Sequence, residues 1–325
     1  MIRFGTLGAA KITPAALIYP CMNEFNAQIV SVAARDRARA EQFAKAHHIP
    51  RVFDSYSAVI EDENADAIYV PLPITAHHEW CMKALAAGKH VLCEKSMAAN
   101  ADQAIEMNAV AVGSGLVLMD AFHYRYHPLF GRVREIYQSG LLGQIRTIDA
   151  VFHVPVTDKN DIRMNYETGG GVTMDIGCYP ISWVRHLTDK EPKVLSAVAE
   201  VGPPEVDVML NTEMTIGDVR VTTSGDMRSS VKFRATLTVV GDQGEMRVHN
   251  VIAPQFGSQI ELIQGDANTV ETFDRRPTYA YQLDAFLDAV EHGSALATDG
   301  SDAVKQMQVI DACYAAAGLR KRGEQ

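Results

Sequence analysis

From Ile2 to Asp120, short apolar runs alternate with stretches of helix-forming composition, and this rhythm restricts the fold more than any other feature of the chain. Ile2–Leu7 reads as a buried strand, Gly8–Lys11 as a turn of small residues, and Pro14–Leu17 as the opening of a helix. Ile29–Ala34 is a second strand. Arg37–His47, rich in Ala, Arg, Glu, Gln and Lys, is a second helix. The pattern then repeats: strand Ala67–Pro71, helix His77–Ala87 closed by Gly88 in a left-handed cap, strand His90–Cys93, helix Ala101–Val112, strand Leu116–Asp120. Strands separated by helices with short connections pair in parallel, so a doubly wound parallel sheet is predicted.

Beyond residue 121 the rhythm changes. Helices are predicted at Leu129–Ser139 and Pro180–Leu187, flanking a strand at Ile145–Val154, and the stretch Val194–Phe273 contains extended runs with no helical pattern between them. In Val231–Val239 apolar and polar residues alternate with period two, the mark of a half-buried antiparallel strand. Helices Tyr279–His292 and Asp302–Leu319 close the chain, and the tail Arg320–Gln325 reads as a frayed helix end. Two domains are expected: 1–121, with the parallel sheet, and 122–325, an α+β domain with a mainly antiparallel open sheet. The wetter face of that sheet is either solvated or a subunit interface, and the interface is the preferred reading.

A length of 325 residues, 47% hydrophobic, favours two cores over one. The formal net charge of -10 argues against a nucleic-acid surface, which carries an electropositive footprint. No apolar run approaches the roughly 18 residues of a membrane span. Met1-Ile2-Arg3-Phe4 leads directly into the first strand without a signal-peptide pattern. The five cysteines, with no CxxC pair among them, read as buried free thiols, so a cytoplasmic location is expected and no metal site is read.

A dinucleotide pyrophosphate needs a tight turn between the first strand and the first helix, with small residues that let backbone N–H groups approach the phosphates. Gly8-Ala9-Ala10-Lys11-Ile12-Thr13 supplies a degenerate form of that turn, G-x-A-x-x-T. The end of the second strand separates the two nicotinamide cofactors: an acidic residue suits the ribose hydroxyl of NAD, an arginine the 2′-phosphate of NADP. Arg35 follows Val32-Ala33-Ala34 directly, with Asp36 and Arg37 behind it. Arg35 and Arg37 together suit a phosphate dianion, so NADP is expected, with NAD possible. The other reading is a solvated charge cluster that opens the next helix.

Glu94-Lys95 stands at the carboxyl end of a parallel strand, where ligands of such sheets bind. Pro71-Leu72-Pro73 ends the preceding strand, and its fixed backbone suits the wall of a flat ring. The second cluster is Gly169-Gly170-Gly171-Val172-Thr173-Met174-Asp175-Ile176-Gly177-Cys178-Tyr179-Pro180. Pro180 fits the first helical position, which would leave Tyr179 just ahead of the helix with its phenol free to project, and Ile181, Val184 and Leu187 as the buried stripe. A Tyr–Lys pair suits carbonyl reduction and alcohol oxidation, because an ammonium stabilises phenolate and lowers its pKa. On these residues alone, Tyr179 reads equally as a catalyst or a structural aromatic, and Asp175 as a ligand for a substrate hydroxyl or an orienter of Tyr179.

LGAAKI at 7–12, AARD at 33–36, YVPLP at 69–73, HHEW at 77–80, AGKHVLCEK at 87–95, AFHYRYHPLF at 121–130 and GGGVTMDIGCYP at 169–180 together resemble the Gfo/Idh/MocA oxidoreductase family over nearly the whole chain. Within it, the chain is most similar to the branch of glucose–fructose oxidoreductases, D-xylose 1-dehydrogenases and dimeric dihydrodiol dehydrogenases. The resemblance implies a Rossmann domain in which Gly8, Ala9, Ala10, Lys11 and Ile12 wrap the pyrophosphate and Arg35 reads the 2′-phosphate. It implies that Pro71, Leu72, Pro73, His77 and Glu94 line the nicotinamide half, with Tyr279 near the cofactor. Lys95 would sit beside nicotinamide and substrate, Tyr179 would be the proton donor or acceptor, and Asp175 a substrate ligand. It further implies a homodimer or homotetramer through the open C-terminal sheet. Three positions depart from the family: Ser96 replaces the proline of its EKP triplet, Ile74 an asparagine frequent after PLP, and His123 a methionine common in close relatives.

The expected activity is therefore hydride transfer between a nicotinamide cofactor and a hydroxyl or carbonyl of a sugar, cyclitol or related cyclic diol. Tyr179 would act as general acid/base assisted by Lys95. The partner expected is a small molecule, with neither nucleic acid nor membrane. Two other classes stand beside it: a cofactor-sensing regulatory protein, and a glycosidase-like enzyme that recycles a tightly bound NAD(P).

Overall fold

The computed structural model describes residues 1–23, 26–202 and 205–324. The chain forms two compact units, one of Met1–His123 with Tyr279–Val304, the other of Tyr124–Thr278 with the chain from Lys305 onward. The division expected from the sequence gave all of 122–325 to one domain. In the structure the segment Tyr279–Val304 returns instead to the first unit, where Phe286 packs on Phe4 with ring centroids 5.4 Å apart.

In the first unit, the strands are β1 (Ile2–Leu7), β2 (Ala27–Ala33), β3 (Arg51–Val52), β4 (Ala67–Val70), β5 (His90–Cys93) and β6 (Leu118–Asp120). They pair in the order β3-β2-β1-β4-β5-β6, parallel throughout. This is the doubly wound Rossmann order, and its switch point lies between β1 and β4, where the carboxyl strand ends open a crevice. The helices are α1 (Tyr19–Asn23), α2 (Arg37–His47), α3 (Tyr56–Ile60), α4 (Ile74–Ala86) and α5 (Ala101–Ser114). Asp36, Ser55 and Asn100 cap α2, α3 and α5 with side-chain oxygens that accept a backbone N–H. Helix α4 starts at Ile74, earlier than expected, because the fixed φ of Pro73 suits the residue before a first turn.

The second unit contains α6 (Pro128–Gln138), β7 (Ile145–His153), α7 (Cys178–Thr188), β8 (Lys193–Gly202), β9 (Val206–Ile216), β10 (Val219–Asp226), β11 (Arg234–Gly241), β12 (Glu245–His249), β13 (Gln259–Gln264) and β14 (Ala267–Thr272). The sheet order is β14-β13-β12-β11-β7-β10-β9-β8, and among the described residues only β7 and β10 pair in parallel. The period-two reading holds along β11, where Ala235, Leu237 and Val239 are buried and the threonines between them are partly exposed. Helix α7 packs on β7 and β10, and every one of its residues is buried, Ser182, Arg185, His186 and Thr188 included. Burial therefore extends beyond the expected stripe of Ile181, Val184 and Leu187 to the whole circumference. Helices α8 (Thr278–His292) and α9 (Gly300–Ala316) follow.

Two short π-helical turns, Pro14–Ile18 and Thr173–Gly177, stand just ahead of Pro20 in α1 and Pro180 in α7. A proline inside a helix offers no N–H and crowds the carbonyl four residues back, and the wider turn relieves both. All five cysteines are buried free thiols. Among the described residues, no helix is long and apolar enough to cross a membrane.

Candidate active site

The turn after β1 begins at Gly8, whose φ of +96° is open to glycine and strained for other residues. Its N–H donates to Ala33 O at 2.6 Å, which ties the turn to the end of β2. A Cβ at Gly8 would lie 3.4 Å from Leu72 Cδ2 and 3.8 Å from the Tyr56 hydroxyl, so both side chains stand against the turn. Ala9 is buried, Ala10 half-buried, and Lys11 and Ile12 are exposed. Thr13, fully buried ahead of the π-helical turn, has a hydroxyl without a hydrogen-bond partner among the described residues. A left-handed glycine, small neighbours and a buried polar atom left over fit a pyrophosphate.

At the end of β2 the charges sort themselves. Asp36 is occupied as the α2 cap, accepting from the Arg39 N–H at 3.3 Å. Arg37, expected to share a phosphate with Arg35, is instead drawn off to Glu41 (2.9 Å) and to Asp54. Arg39 takes its place near the turn, donating from Nη2 to Ala9 O at 2.7 Å. The Tyr56 hydroxyl lies by Arg35; burial raises its pKa and the Arg35 charge opposes that rise. These residues fit an anionic 2′-phosphate better than a ribose hydroxyl, because the one acidic side chain in place already serves the helix.

The ends of β4, β5 and β6 gather the rest of the first unit's candidates. The Tyr69 hydroxyl donates to Glu94 Oε1 at 2.7 Å, and burial pushes its pKa well up. His77 is fully buried, with Nδ1 3.0 Å from Ser96 O and Nε2 2.8 Å from Leu72 O, so it fastens the PLP segment to the residue after Lys95. Burial lowers its pKa against the pull of the two carbonyls, and a neutral ring donates to one of them only. The peptide Lys95–Ser96 is cis. The Lys95 ammonium acts on His77, on His123 and on Asp120. Burial first, and Lys95 second, push the His123 imidazole down to about 3. Asp120 is pushed well above the usual carboxylate range by burial, then by Asp302 and Glu94. Tyr279 stacks on His123 with centroids 4.1 Å apart, which places it beside this cluster.

In the second unit, Asp175 and Tyr179 lie four residues apart on one continuous helical backbone that starts at Thr173, and so share a side of it. This corrects the placing of Tyr179 ahead of a helix opened by Pro180. Its phenol is not free either: the residue is 5% exposed, its ring packed by Phe152 at 5.4 Å, Tyr124 at 6.1 Å and Trp183 at 6.5 Å between centroids. Asp175 forms an ion pair with Arg163, a residue that the sequence reading missed. Arg163 also reaches both oxygens of Asp161 at 3.1 Å, and its pKa is raised, chiefly by the Asp175 charge. Tyr124, Ser182 and His186 were missed too: the Tyr124 hydroxyl is 2.8 Å from Ser182 Oγ and 2.9 Å from His186 Nδ1, all buried. No local motif flags them; only the burial of three polar side chains together does.

The tail expected to be a frayed end is tied down. Arg320 pairs with Glu205, and Arg322, 1% exposed, pairs with the fully buried Asp207. Gln325, part of the same expectation, lies outside the described residues.

Comparison with known proteins finds relatives for both units of this fold. Residues 2–122 match the family described as "Oxidoreductase family, NAD-binding Rossmann fold", and residues 130–247 match its GFO/IDH/MocA C-terminal domain. The chain is 31% identical to D-xylose 1-dehydrogenase (NADP(+)) 2 of Haloferax volcanii, over 97% of each chain. It is 30% identical to dTDP-3,4-didehydro-2,6-dideoxy-alpha-D-glucose 3-reductase of Streptomyces antibioticus, over 98% of each. A crystal structure of a 3-ketoreductase from Actinomadura kijaniata, in complex with NADP and TDP-benzene, superposes with a TM-score of 0.90 at 28% identity, covering 97% of both chains. With a parallel Rossmann sheet, a mainly antiparallel second sheet and both family segments in order, this chain belongs to the GFO/IDH/MocA oxidoreductase family.

Proposed function

We propose that this chain is an NADP-dependent dehydrogenase or reductase that acts on a hydroxyl or carbonyl of a sugar, cyclitol or related cyclic diol. The observation that carries the reading is the pairing of Asp175 and Tyr179 on one side of one helical backbone, in a family whose Rossmann unit here follows β5 with Glu94-Lys95. Relatives named for D-xylose and for a dTDP-keto sugar support the substrate class.

Gly8, Ala9, Ala10, Lys11 and Ile12 would hold the pyrophosphate, and Arg35, with Arg39 beside it, the 2′-phosphate. Pro71, Leu72, Pro73, His77, Glu94 and Tyr279 would line the nicotinamide half. When bound, the nicotinamide supplies or accepts the hydride. Tyr179 would give a proton to the carbonyl oxygen in reduction and take it from the hydroxyl in oxidation, assisted by Lys95. Asp175, fixed by Arg163, receives a second substrate hydroxyl. His77 does not titrate in this scheme; it ties the PLP segment, through Leu72 O, to Ser96, the residue after Lys95. A homodimer or homotetramer through the open sheet, and a place in the cytoplasm, complete the proposal.

A panel of D-xylose, D-glucose, a trans-dihydrodiol and a TDP-keto sugar, each offered with NADP(H) and NAD(H) separately, tests it. Net NADP reduction or NADPH oxidation with at least one of them is expected. Cleavage of a glycoside with no net change in NADPH, or binding of NADPH without turnover of any of them, would contradict it.

A further inference from the structure

The buried pair Arg322–Asp207 takes no part in the chemistry above, yet it holds the loop from which that chemistry starts. Arg322 Nε donates to Gly170 O at 2.7 Å, and Nη2 donates to Asp207 Oδ1. Asp207 Oδ2 in turn accepts from the Thr173 N–H at 2.8 Å and the Thr173 hydroxyl at 2.6 Å. The Tyr314 hydroxyl donates to Asp207 Oδ1 at 3.2 Å. The guanidinium is stacked over two rings, Tyr314 at 4.5 Å and Tyr166 at 4.8 Å. Tyr166 closes the circuit by donating to Lys321 O at 2.9 Å. One ion pair therefore grips the loop at Gly170 and at Thr173, on either side of Gly171, whose φ of +131° and closeness to Asp207 leave no room for a Cβ. Two residues beyond Thr173 stands Asp175, and six beyond it Tyr179.

We propose that Arg322 is a positioning residue: it clasps the glycine loop from the C-terminal tail, so that Asp175 and Tyr179 keep their places relative to one another. This rests on the catalytic reading of those two residues. Burying two charges, at 1% and 0% exposure, costs desolvation that their mutual attraction need not repay, so fixed geometry is the gain assigned to the pair. Planar Arg reaches Gly170 O and Asp207 together while it stacks on both rings. Lysine, a point charge, meets Asp207 alone.

The test is Arg322→Lys in the full-length chain, read by amide exchange over 170–177, NADPH affinity and steady-state kinetics with the sugar and diol panel. Faster exchange in that loop, unchanged NADPH affinity and a fall in kcat/KM of roughly 10- to 100-fold are expected. Wild-type exchange in the loop, or fast exchange with wild-type kcat/KM, would overturn the clasp. Should Arg322→Lys fail to fold, the double variant Arg322→Met with Asp207→Asn removes both charges at once and is read the same way. Should the wild type turn over none of the panel, the functional reading fails by itself, and exchange over 170–177 still decides whether Arg322 fixes the loop.

Discussion

Arg163 and Asp175 form an ion pair through Nε and Oδ2, with Arg163 held from its other side by Asp161. The carboxylate proposed to meet substrate is thus already bound in one direction, and its approach to a hydroxyl is set by a guanidinium twelve residues earlier in the chain. Both side chains keep some contact with water, at 38% and 20% exposure, so solvent screens the pair. Arg163→Met should cost about 1 kcal/mol of stability or less. Its effect should fall on kcat/KM for the sugar, by roughly 10- to 100-fold, with NADPH affinity unchanged. Urea melts, cofactor titration and steady-state kinetics of the one variant check all three.

Arg35, proposed to hold the 2′-phosphate, stands next to Asp36, which caps α2, so the two can be tested separately. Arg35→Ala should weaken NADP binding by about 1.5–3 kcal/mol, the worth of hydrogen bonds to a charged group, and leave NAD binding nearly unchanged. Asp36→Ala should act on stability instead. It removes the α2 cap, at about 1 kcal/mol of stability, and leaves the ratio of NADP to NAD affinity where it was. Cofactor titrations and thermal melts of the two variants separate these outcomes.

His123 makes stability depend on pH in a definite direction. Its folded pKa, about 3, lies below the ordinary 6.5, so between these values the unfolded chain takes up a proton that the folded chain refuses. Its contribution is complete above pH 6.5 and is lost as pH falls toward 3. His123→Met, which removes the group, should flatten the fall in urea midpoint between neutral pH and the acid end of that window. An equally steep fall in the variant would show that the imidazole is not buried in its neutral form.

The parallel sheet was legible because each of its main strands is a local apolar run and each helix carries its own punctuation; α2 lies where composition placed it. Strand β3, of two residues, and α3, of five, are too short to show a period. In the second unit, β7 is inserted between β10 and β11, a pairing across more than 70 residues that no local pattern encodes. Tyr179 is singled out by motif alone, yet Pro180 misled about its surroundings, since the helical turn before a proline can widen rather than stop. Arg322 was misread for a related reason. A short basic tail is ordinarily solvated, and the carboxylate that buries this one is 115 residues away in β9.

The most direct test of the proposed chemistry is turnover by Tyr179→Phe, with NADPH affinity measured on the same sample. Loss of the hydroxyl alone should cut kcat by about 100- to 10,000-fold, the usual worth of a positioned general acid/base, while NADPH binds as in the wild type. A variant that reduces or oxidises its best panel substrate at the wild-type rate would contradict the assignment of Tyr179.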